Sequence, residues 1–584
     1  MTNSQLADTL DLLADLLEFQ GANSFRTRAY RNGSRTIRNM TESLATLVAD
    51  SKDLTEIDGI GKSVAGKCQT LIETGSLPQL EELKEQIPQS VLAILRIPGL
   101  GPKKAAALYN ELGISTLDQL KEACEAEKVR ELKGFAAKTE KAILDGIQFA
   151  ASAGQRIYWS KANELVEELR EHMNSCKAIR QMEFAGSYRR GKESVGDLDI
   201  LVDSKDANKV MDHLVEHSRV ADIMVRGETK MSVRLDSELQ VDLRVVPEES
   251  FGAALQYFTG SKEHNVVVRG RAKKMGLLVN EYGVYRSESD SGDGGLGESI
   301  AGATEKEVYE ALELPWFPPE LREARNEFEW AESGDLPDLI ELADIRGDLH
   351  MHTTATDGKN SIREMVDAAR KRKLKYIAIT DHSQRVSMAF GLDPDRLRQQ
   401  WKEVDEVNDD LGKSFTVLKG IECDILEAGG MDLPDDVLAE ADWVLASIHY
   451  GQKQPMQQIT DRILGAIENP YVTAIAHPTG RIINKRESYA VDLDQIFKAA
   501  RKHGKLLELN ANPARLDLND IYCAAAKAHG IPIVINTDAH HTGGMDVMQF
   551  GILQARRAGL TAADVANTRT WPQMKKILPA RVAT

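Results

Sequence analysis

The chain has only five cysteines in 584 residues, and none of them forms a C-x-x-C pair. That leaves no material for a disulfide framework and fits a reducing cytoplasm. No apolar run is long enough to cross a bilayer, so a soluble protein is expected. The first helix-like stretch carries Asp8, Asp11, Asp15 and Glu18, where a secretory leader would place cations ahead of an apolar core. Basic charge is also short: 73 Lys and Arg stand against 90 Asp and Glu, a formal net charge of −17. Taken alone, that deficit argues against a nucleic-acid partner. The acids are unevenly spread, however, and residues 320–344 hold nine of them against two arginines. Residues 26–38 hold five arginines and no acid, a phosphate-facing surface by expectation, and residues 269–274 are basic as well. Screening limits each charge to about 10 Å at moderate salt, so local basic stretches can still meet DNA. The 42% hydrophobic content is ordinary for globular protein and gives room for several cores.

The most informative stretch is Gly196-Asp197-Leu198-Asp199, inside the run from Phe184 to Val202. Asp197 and Asp199 sit two apart in an apolar segment, so on a strand both carboxylates face one way. Like charges on one face repel unless a cation lies between them, and Mg²⁺ takes oxygen ligands from a few carboxylates. Asp242 adds a third acid within the strand-like Leu239-Gln240-Val241-Asp242-Leu243. Upstream, Gly186-Ser187 opens a polar turn with Arg189 and Arg190 that can present N–H groups and guanidinium forks to phosphate. Carboxylates for metal beside a phosphate cradle are what nucleotidyl transfer requires.

This pattern resembles the palm of family X DNA polymerases, and Tyr257-Phe258-Thr259-Gly260-Ser261 resembles that family's YFTGS segment. The resemblance implies that Asp197, Asp199 and Asp242 bind two Mg²⁺, with Asp242 also the base for the primer 3′-hydroxyl. It implies that Ser187, Arg190 and Gly196 contact the triphosphate. Tyr257 and Phe258 would meet the sugar of the incoming dNTP, with Gly260 in the same segment. Asn265 would hydrogen-bond the nascent base in the minor groove, and Arg269 would face the template. One departure is Gln240, which stands where animal members carry an Arg and leaves the details of proton removal open.

A second chemistry occupies the last third, where nine of the thirteen histidines lie. Short apolar runs of strand type end one after another in metal-type ligands: His350, His352 and then Asp357; His382; Glu422; His449; His477; Asp538 and His540. Amphipathic helical stretches such as Ile362 to Arg372 and Leu493 to His503 separate them. This alternation is that of an α/β barrel with its site at the strand C-termini. Mixed imidazole and carboxylate ligands suit Zn²⁺, Mn²⁺ or Fe, and so many suggest two or three ions that activate water against a phosphodiester. The spacing resembles the PHP (polymerase and histidinol phosphatase) domain found at the C-terminus of bacterial family X polymerases, all nine ligand positions being filled. Arg481 and Arg515 are expected phosphate contacts. His503, His529 and His541 read as structural.

The N-terminal region reads as a binding apparatus. Ile57-Asp58-Gly59-Ile60-Gly61-Lys62 repeats in outline as Ile97-Pro98-Gly99-Leu100-Gly101-Pro102-Lys103, each with a G-x-G turn ahead of an Ala-containing helix. Glycines permit φ > 0, and the helix N-terminus offers amides to a backbone phosphate. Both resemble helix-hairpin-helix motifs, which grip DNA without reading its sequence. Leu132-Lys133-Gly134-Phe135-Ala136 is a weaker third copy. Lys67 falls at the family spacing from Gly59 for the Schiff-base lysine that removes a 5′-deoxyribose phosphate; the other reading is a helix lysine touching phosphate.

A multidomain chain follows. Residues 1–80 and 81–150 are expected as α-helical helix-hairpin-helix and fingers regions, 151–245 as an α/β nucleotidyltransferase palm and 246–317 as a thumb. An acidic linker at 318–344 would lead to a distorted α/β barrel at 345–584, with 287–302 an exposed loop. The expected protein is a cytoplasmic, nucleoid-associated, monomeric repair enzyme acting on gapped or primed DNA with dNTPs. It would combine gap-filling synthesis with metal-dependent 3′–5′ exonuclease activity. For the barrel, a small-molecule phosphatase and a metal-stabilised structural module remain open.

Overall fold

The computed structural model describes the chain except residues 1–2, 41–43, 89, 96, 98–99, 138, 141–142, 145–155, 288–295 and 579–584. The chain divides into two compact units, Met1–Arg156 and Ile157–Thr584.

The described part of the first unit is helical. Helix Asn3–Phe19 lays Leu6, Leu10, Leu13 and Leu17 against Tyr30 and Ile37 of helix Ser24–Asn39, all of them buried. Helix periodicity sends Arg31 and Arg38 of that arginine-rich helix to one face, towards its acidic neighbour. Arg31 meets Asp15 at 2.8 Å and Glu18 at 2.6 Å, and Arg38 meets Asp8 at 2.6 Å and Asp11 at 2.9 Å. Two of the arginines expected to face phosphate are therefore spent inside the unit. The three hairpins share one turn: Ile60 N donates to Ile57 O, Leu100 N to Ile97 O and Phe135 N to Leu132 O, each at 3.0 Å.

The second unit opens with β1 (Ile157–Tyr158), β2 (Gln181–Phe184), β3 (Ser194–Val195), β4 (Asp197–Asp203), β5 (Val220–Arg226), β6 (Lys230–Leu235) and β7 (Gln240–Val246). Five of these form a sheet in the order β2-β4-β7-β6-β5, in which only β4 and β7 run parallel. Helix Trp159–Asn174 buries Leu165, Val166, Leu169 and Met173 in the same core as Ile200, Val202, Val233 and Val241. Helices Phe251–Thr259 and Lys262–Lys274 lead into an antiparallel sheet of β8 (Leu277–Asn280), β9 (Gly283–Ser287) and β10 (Leu296–Ala301). The expected loop at 287–302 is thus corrected: its last part is the edge strand β10, whose exposed side chains gave it a loop-like composition.

The segment expected as an acidic linker is folded at its start, where three of its acids are paired with distant side chains. Glu320 meets Arg556 at 2.7 Å, Glu323 meets Arg557 at 3.0 Å and Glu327 meets His264 at 2.9 Å. Just before it, Glu305 joins palm to thumb, meeting Arg189 at 2.7 Å and the fully buried Arg322 at 2.6 Å. Burial pushes Glu305 up, but Arg322 and Arg189 outweigh it and hold the carboxyl at about 2. Because the folded value lies below the unfolded one, this stabilisation is present above about pH 4.5 and lost as pH falls towards 2, about 3 kcal/mol in all. Glu305→Gln is expected to lower the melting temperature at pH 7 and to flatten the acid limb of a pH–melting series. An acid limb as steep as that of the wild type would contradict it.

The chain ends in a nearly closed parallel barrel: β11 (Gly347–Asp348), β12 (Tyr376–Ile379), β13 (Thr416–Asp424), β14 (Trp443–Ser447), β15 (Ala474–Ile475), β16 (Leu506–Asn510) and β17 (Ile533–Asn536), neighbouring in chain order. A parallel bridge between Met351 and Ala539 joins the last strand back to the first. The strands are apolar on both faces because helices such as Ile362–Lys371 and Leu493–His503 cover the outside, as a parallel sheet requires.

Candidate functional site

The palm carboxylates meet on one face of the sheet. Parallel register sets Asp199 beside Asp242 and Asp197 beside Gln240. Ser232 of β6 donates to Asp242 Oδ1, and Gln240 Nε2 donates to the same oxygen at 3.1 Å. Gln240 therefore orients Asp242. Burial and the neighbouring Asp197 and Asp242 carboxylates push Asp199 up to about 7, the electrostatic signature of a site that wants cations. Gly186, at φ +64°, lies so close to the Asp199 carboxylate that any Cβ would collide with it.

Beside these acids, helix Gly186–Arg189 forms the turn expected to meet phosphate. Ser187 Oγ is out of solvent without a hydrogen-bond partner. Arg190 Nη1 donates to Thr259 O at 2.5 Å, which ties the turn to the YFTGS segment, and Gly196 sits between β3 and β4. Gly260, at φ +67°, lies against that guanidinium. Tyr257 and Phe258 meet edge to face, with centroids 5.2 Å apart, and Arg244 lies over Phe258. Asn265 is buried, donating to Tyr257 O at 2.8 Å and accepting from Gln256 at 2.8 Å, while Arg269 is exposed one helical turn on.

In the barrel the ligand-type residues converge at the strand C-termini. Three overlapping groups have ligand atoms within 4.8 Å of one another: His352, Asp357, His382 and His540; His350, His352 and Asp538; and His382, Glu422 and His449. His477 joins them through Glu422, at 2.9 Å. Glu422 is the hub, since His382 also lies 2.8 Å from it and His449 3.5 Å. His350 Nε2, both ring nitrogens of His352 and Glu422 Oε2 are buried without hydrogen-bond partners, which suits a group that accepts their lone pairs. The mixed nitrogen and oxygen set fits divalent transition metals. Burial disfavours a charged His382, but Glu422 and Asp357 outweigh it and raise the ring to about 10. Burial and the adjacent His382 drive His352 down to about 4. His477, at φ +28°, and Asp538, at φ +55°, hold backbone conformations that side chains avoid, a strain typical of ligand clamps.

Several supporting residues were not anticipated. Glu508 lies 2.7 Å from His350 Nδ1 and accepts from His477 N at 2.7 Å and Asn536 Nδ2 at 2.9 Å. It fixes the His350 ring so that Nε2 faces the cluster. Its signal was an acid inside the apolar Leu506-Leu507-Glu508-Leu509, between two ligand-bearing strands. Asp424 accepts from His449 N at 2.9 Å, and Asp381 gathers Thr353, Thr356 and Gln400 to brace the loop leading to Asp357. Arg515 Nε lies 3.7 Å from Asp538, at the cluster. Arg481, also expected there, is half-buried at the palm–barrel junction, donating to Glu193 at 2.7 Å and Leu516 O at 2.5 Å.

In the first unit, Gly59 takes φ +86°, and a Cβ there would strike Thr36. Gly61 and Gly101 are the N-cap residues of helices Lys62–Thr74 and Pro102–Leu112 and have no side-chain cap, which leaves the cap to a ligand or solvent. Lys103 follows on the second helix, and Lys67 is half-buried on the first. Gly99 lies outside the described residues.

Family models match in the same order: a helix-hairpin-helix domain at 1–77, a helix-hairpin-helix tandem at 91–148, the DNA polymerase beta palm at 156–253 and thumb at 254–323, and a PHP domain at 348–512. A Bacillus subtilis protein named DNA polymerase/3′-5′ exonuclease PolX is 40% identical over 99% of both chains. The chain belongs to the PHP-containing family X DNA polymerases. Rat DNA polymerase lambda is 24% identical over 55% of this chain and 56% of its own. The barrel matches separately, a probable phosphatase of Thermoanaerobacter being 30% identical over 38% of this chain and 89% of its own.

Proposed function

We propose that this chain fills gaps in DNA by template-directed nucleotidyl transfer at the palm and removes 3′-terminal nucleotides by hydrolysis in the barrel. The observation that carries the first reading is the in-register meeting of Asp199 and Asp242, with Asp197, beside a phosphate turn whose Ser187 hydroxyl is unpartnered. Asp197, Asp199 and Asp242 would hold two Mg²⁺, which neutralise charge on the triphosphate and activate the primer 3′-hydroxyl. Ser187, Arg190 and Gly196 then grip the triphosphate. Tyr257 and Phe258 pack on its sugar, Asn265 reads the base and Arg269 faces the template. Asp242, steadied at one oxygen by Ser232 and Gln240, accepts the 3′-hydroxyl proton.

In the barrel, His350, His352, Asp357, His382, Glu422, His449, His477, Asp538 and His540 would hold two or three Mn²⁺ or Zn²⁺ ions that polarise the scissile phosphodiester and its attacking water. Arg515, 3.7 Å from Asp538, would steady the phosphate. The helix-hairpin-helix turns hold gapped DNA through its backbone, by the capless Gly61 and Gly101 ends with Lys103.

The deciding experiment follows a 5′-labelled primer on a one-nucleotide gap in Mn²⁺ or Mg²⁺, alongside phosphate release from small monoesters. One-nucleotide extension with dNTPs and stepwise shortening without them, at negligible monoester turnover, is expected. Monoester turnover without shortening would transfer the barrel to the phosphatase reading.

A further inference from the structure

The phosphate turn is packed against the barrel as well as its own palm. Gly191, at φ +65°, has the side chain of Leu553 where a Cβ would sit, 2.6 Å from Leu553 Cγ. Leu553 belongs to helix Met548–Arg557, which follows the last barrel strand. Phe550 of that helix meets Trp159 edge-on, and Trp159 stacks on Tyr188 with centroids 5.0 Å apart and donates Nε1–H to Tyr188 O at 2.8 Å. Arg557 ends the helix. Its buried guanidinium donates to Arg190 O at 2.6 Å and lies 3.0 Å from Glu323 Oε1 and 2.7 Å from Asp520 Oδ2. Glu323 Oε1 in turn accepts from Arg190 Nε at 3.1 Å.

Arg557, from the other half of the unit, therefore holds the Arg190 main chain directly and shares with the Arg190 side chain the carboxylate of Glu323. Arg190, Lys192, Arg325 and Arg557 surround the carboxylates Glu323 and Asp520, so positive charge is in excess before any nucleotide arrives. Burial pushes Glu323 up, yet Arg557 and then Lys192 hold it at about 2. Burial followed by Arg557 lowers Lys192. The sharing matters because a carboxylate shared with Arg557 binds Arg190 less tightly. Without Arg557, Glu323 would draw more strongly on Arg190, with Lys192 the remaining ion-pair partner at 3.7 Å, and compete with a phosphate for the same guanidinium.

We propose that Arg557 is a positioning residue for nucleotide binding: from the barrel it sets Arg190, through Glu323 and the Arg190 carbonyl, to receive the triphosphate of the incoming dNTP. This rests on the assignment of Arg190 to the triphosphate. The test is steady-state gap filling by the full-length chain in the wild type, Arg190→Ala, Arg557→Ala, Arg557→Lys and the Arg190→Ala/Arg557→Ala double variant. The 3′-shortening rate of each preparation reports whether the barrel is intact.

Arg557→Ala is expected to raise KM for dNTP by about 10-fold with kcat within about threefold. Arg557→Lys should recover only part of this, because an ammonium cannot span Glu323, Asp520 and the carbonyl as a fork does. The double variant should be no worse than Arg190→Ala, since one residue acts through the other. An unchanged KM in Arg557→Ala, or effects that multiply in the double variant, overturns the proposal. So does a fall in shortening that matches the fall in extension, which would mark plain unfolding. If Arg190→Ala itself leaves KM unchanged, the assignment of Arg190 fails first and the proposal with it.

Discussion

Asp199→Asn is expected to cut nucleotide incorporation by about 10³-fold while leaving 3′ shortening within about twofold. Asp199 is the central carboxylate of the palm, beside Asp242 in register and two residues from Asp197 on the same strand face. An amide keeps the shape and one acceptor but removes the charge that gathers cations there. The same substitution should make the metal-free protein more stable, because three clustered carboxylates repel.

The sign follows from proton counts. Asp199 is pushed up to about 7 in the fold, above its ordinary carboxylate value, so between about pH 4 and 7 the folded form binds the extra proton. Stability from this group therefore falls as pH rises through that window and stays low above it. In chelator, Asp199→Asn should melt about 2 °C or more above the wild type at pH 8, and show little difference at pH 4. Wild-type incorporation by the variant would remove Asp199 from the chemistry, and a lower melting temperature at pH 8 would remove the repulsion argument.

The barrel carries the second large effect. Glu422→Gln should abolish shortening, by about 10³-fold or more, with extension retained. Glu422 lies within 2.9 Å of His382 and His477 and 3.5 Å of His449 and His350, so a single amide disturbs every part of the cluster. Glu508→Gln, which acts by positioning His350 and the His477 backbone rather than by joining the cluster, should lose about 10- to 100-fold. Melting curves give an independent readout. Added Mn²⁺ should raise the wild-type melting temperature, chelator should reverse the rise, and Glu422→Gln should show little of it. Shortening that survives in Glu422→Gln would place the nuclease chemistry outside this cluster.

Much of both sites was legible because their residues obey local rules. Period two put Asp197 and Asp199 on one strand face, and the repeated pattern of an apolar run ending in His or Asp marked strand ends around a barrel. The order of the domains was readable for the same reason. What escaped depends on tertiary neighbours. Glu508 looks like an odd acid in an apolar strand until β16 is seen between the strands carrying His477 and Asp538. Arg481 follows a turn that resembles a phosphate site, yet Glu193, far away in sequence, takes its guanidinium. The acids of 320–344 read as a solvated linker because their partners, His264, Arg556 and Arg557, lie on distant elements. The strand at Leu296–Ala301 was hidden by an exposed edge position with no apolar face to announce it.

The bridge from Met351 to Ala539 also has a consequence for biogenesis. His350 and His352 are translated long before Asp538 and His540, yet the cluster of candidate ligands needs both pairs side by side. A ribosome-bound nascent chain therefore has its polymerase carboxylates complete while its nuclease centre still lacks one wall. Assembly of this residue set waits until the last strand has docked on the first. Helix Met548–Arg557, whose Arg557 donates to Arg190 O, emerges later still.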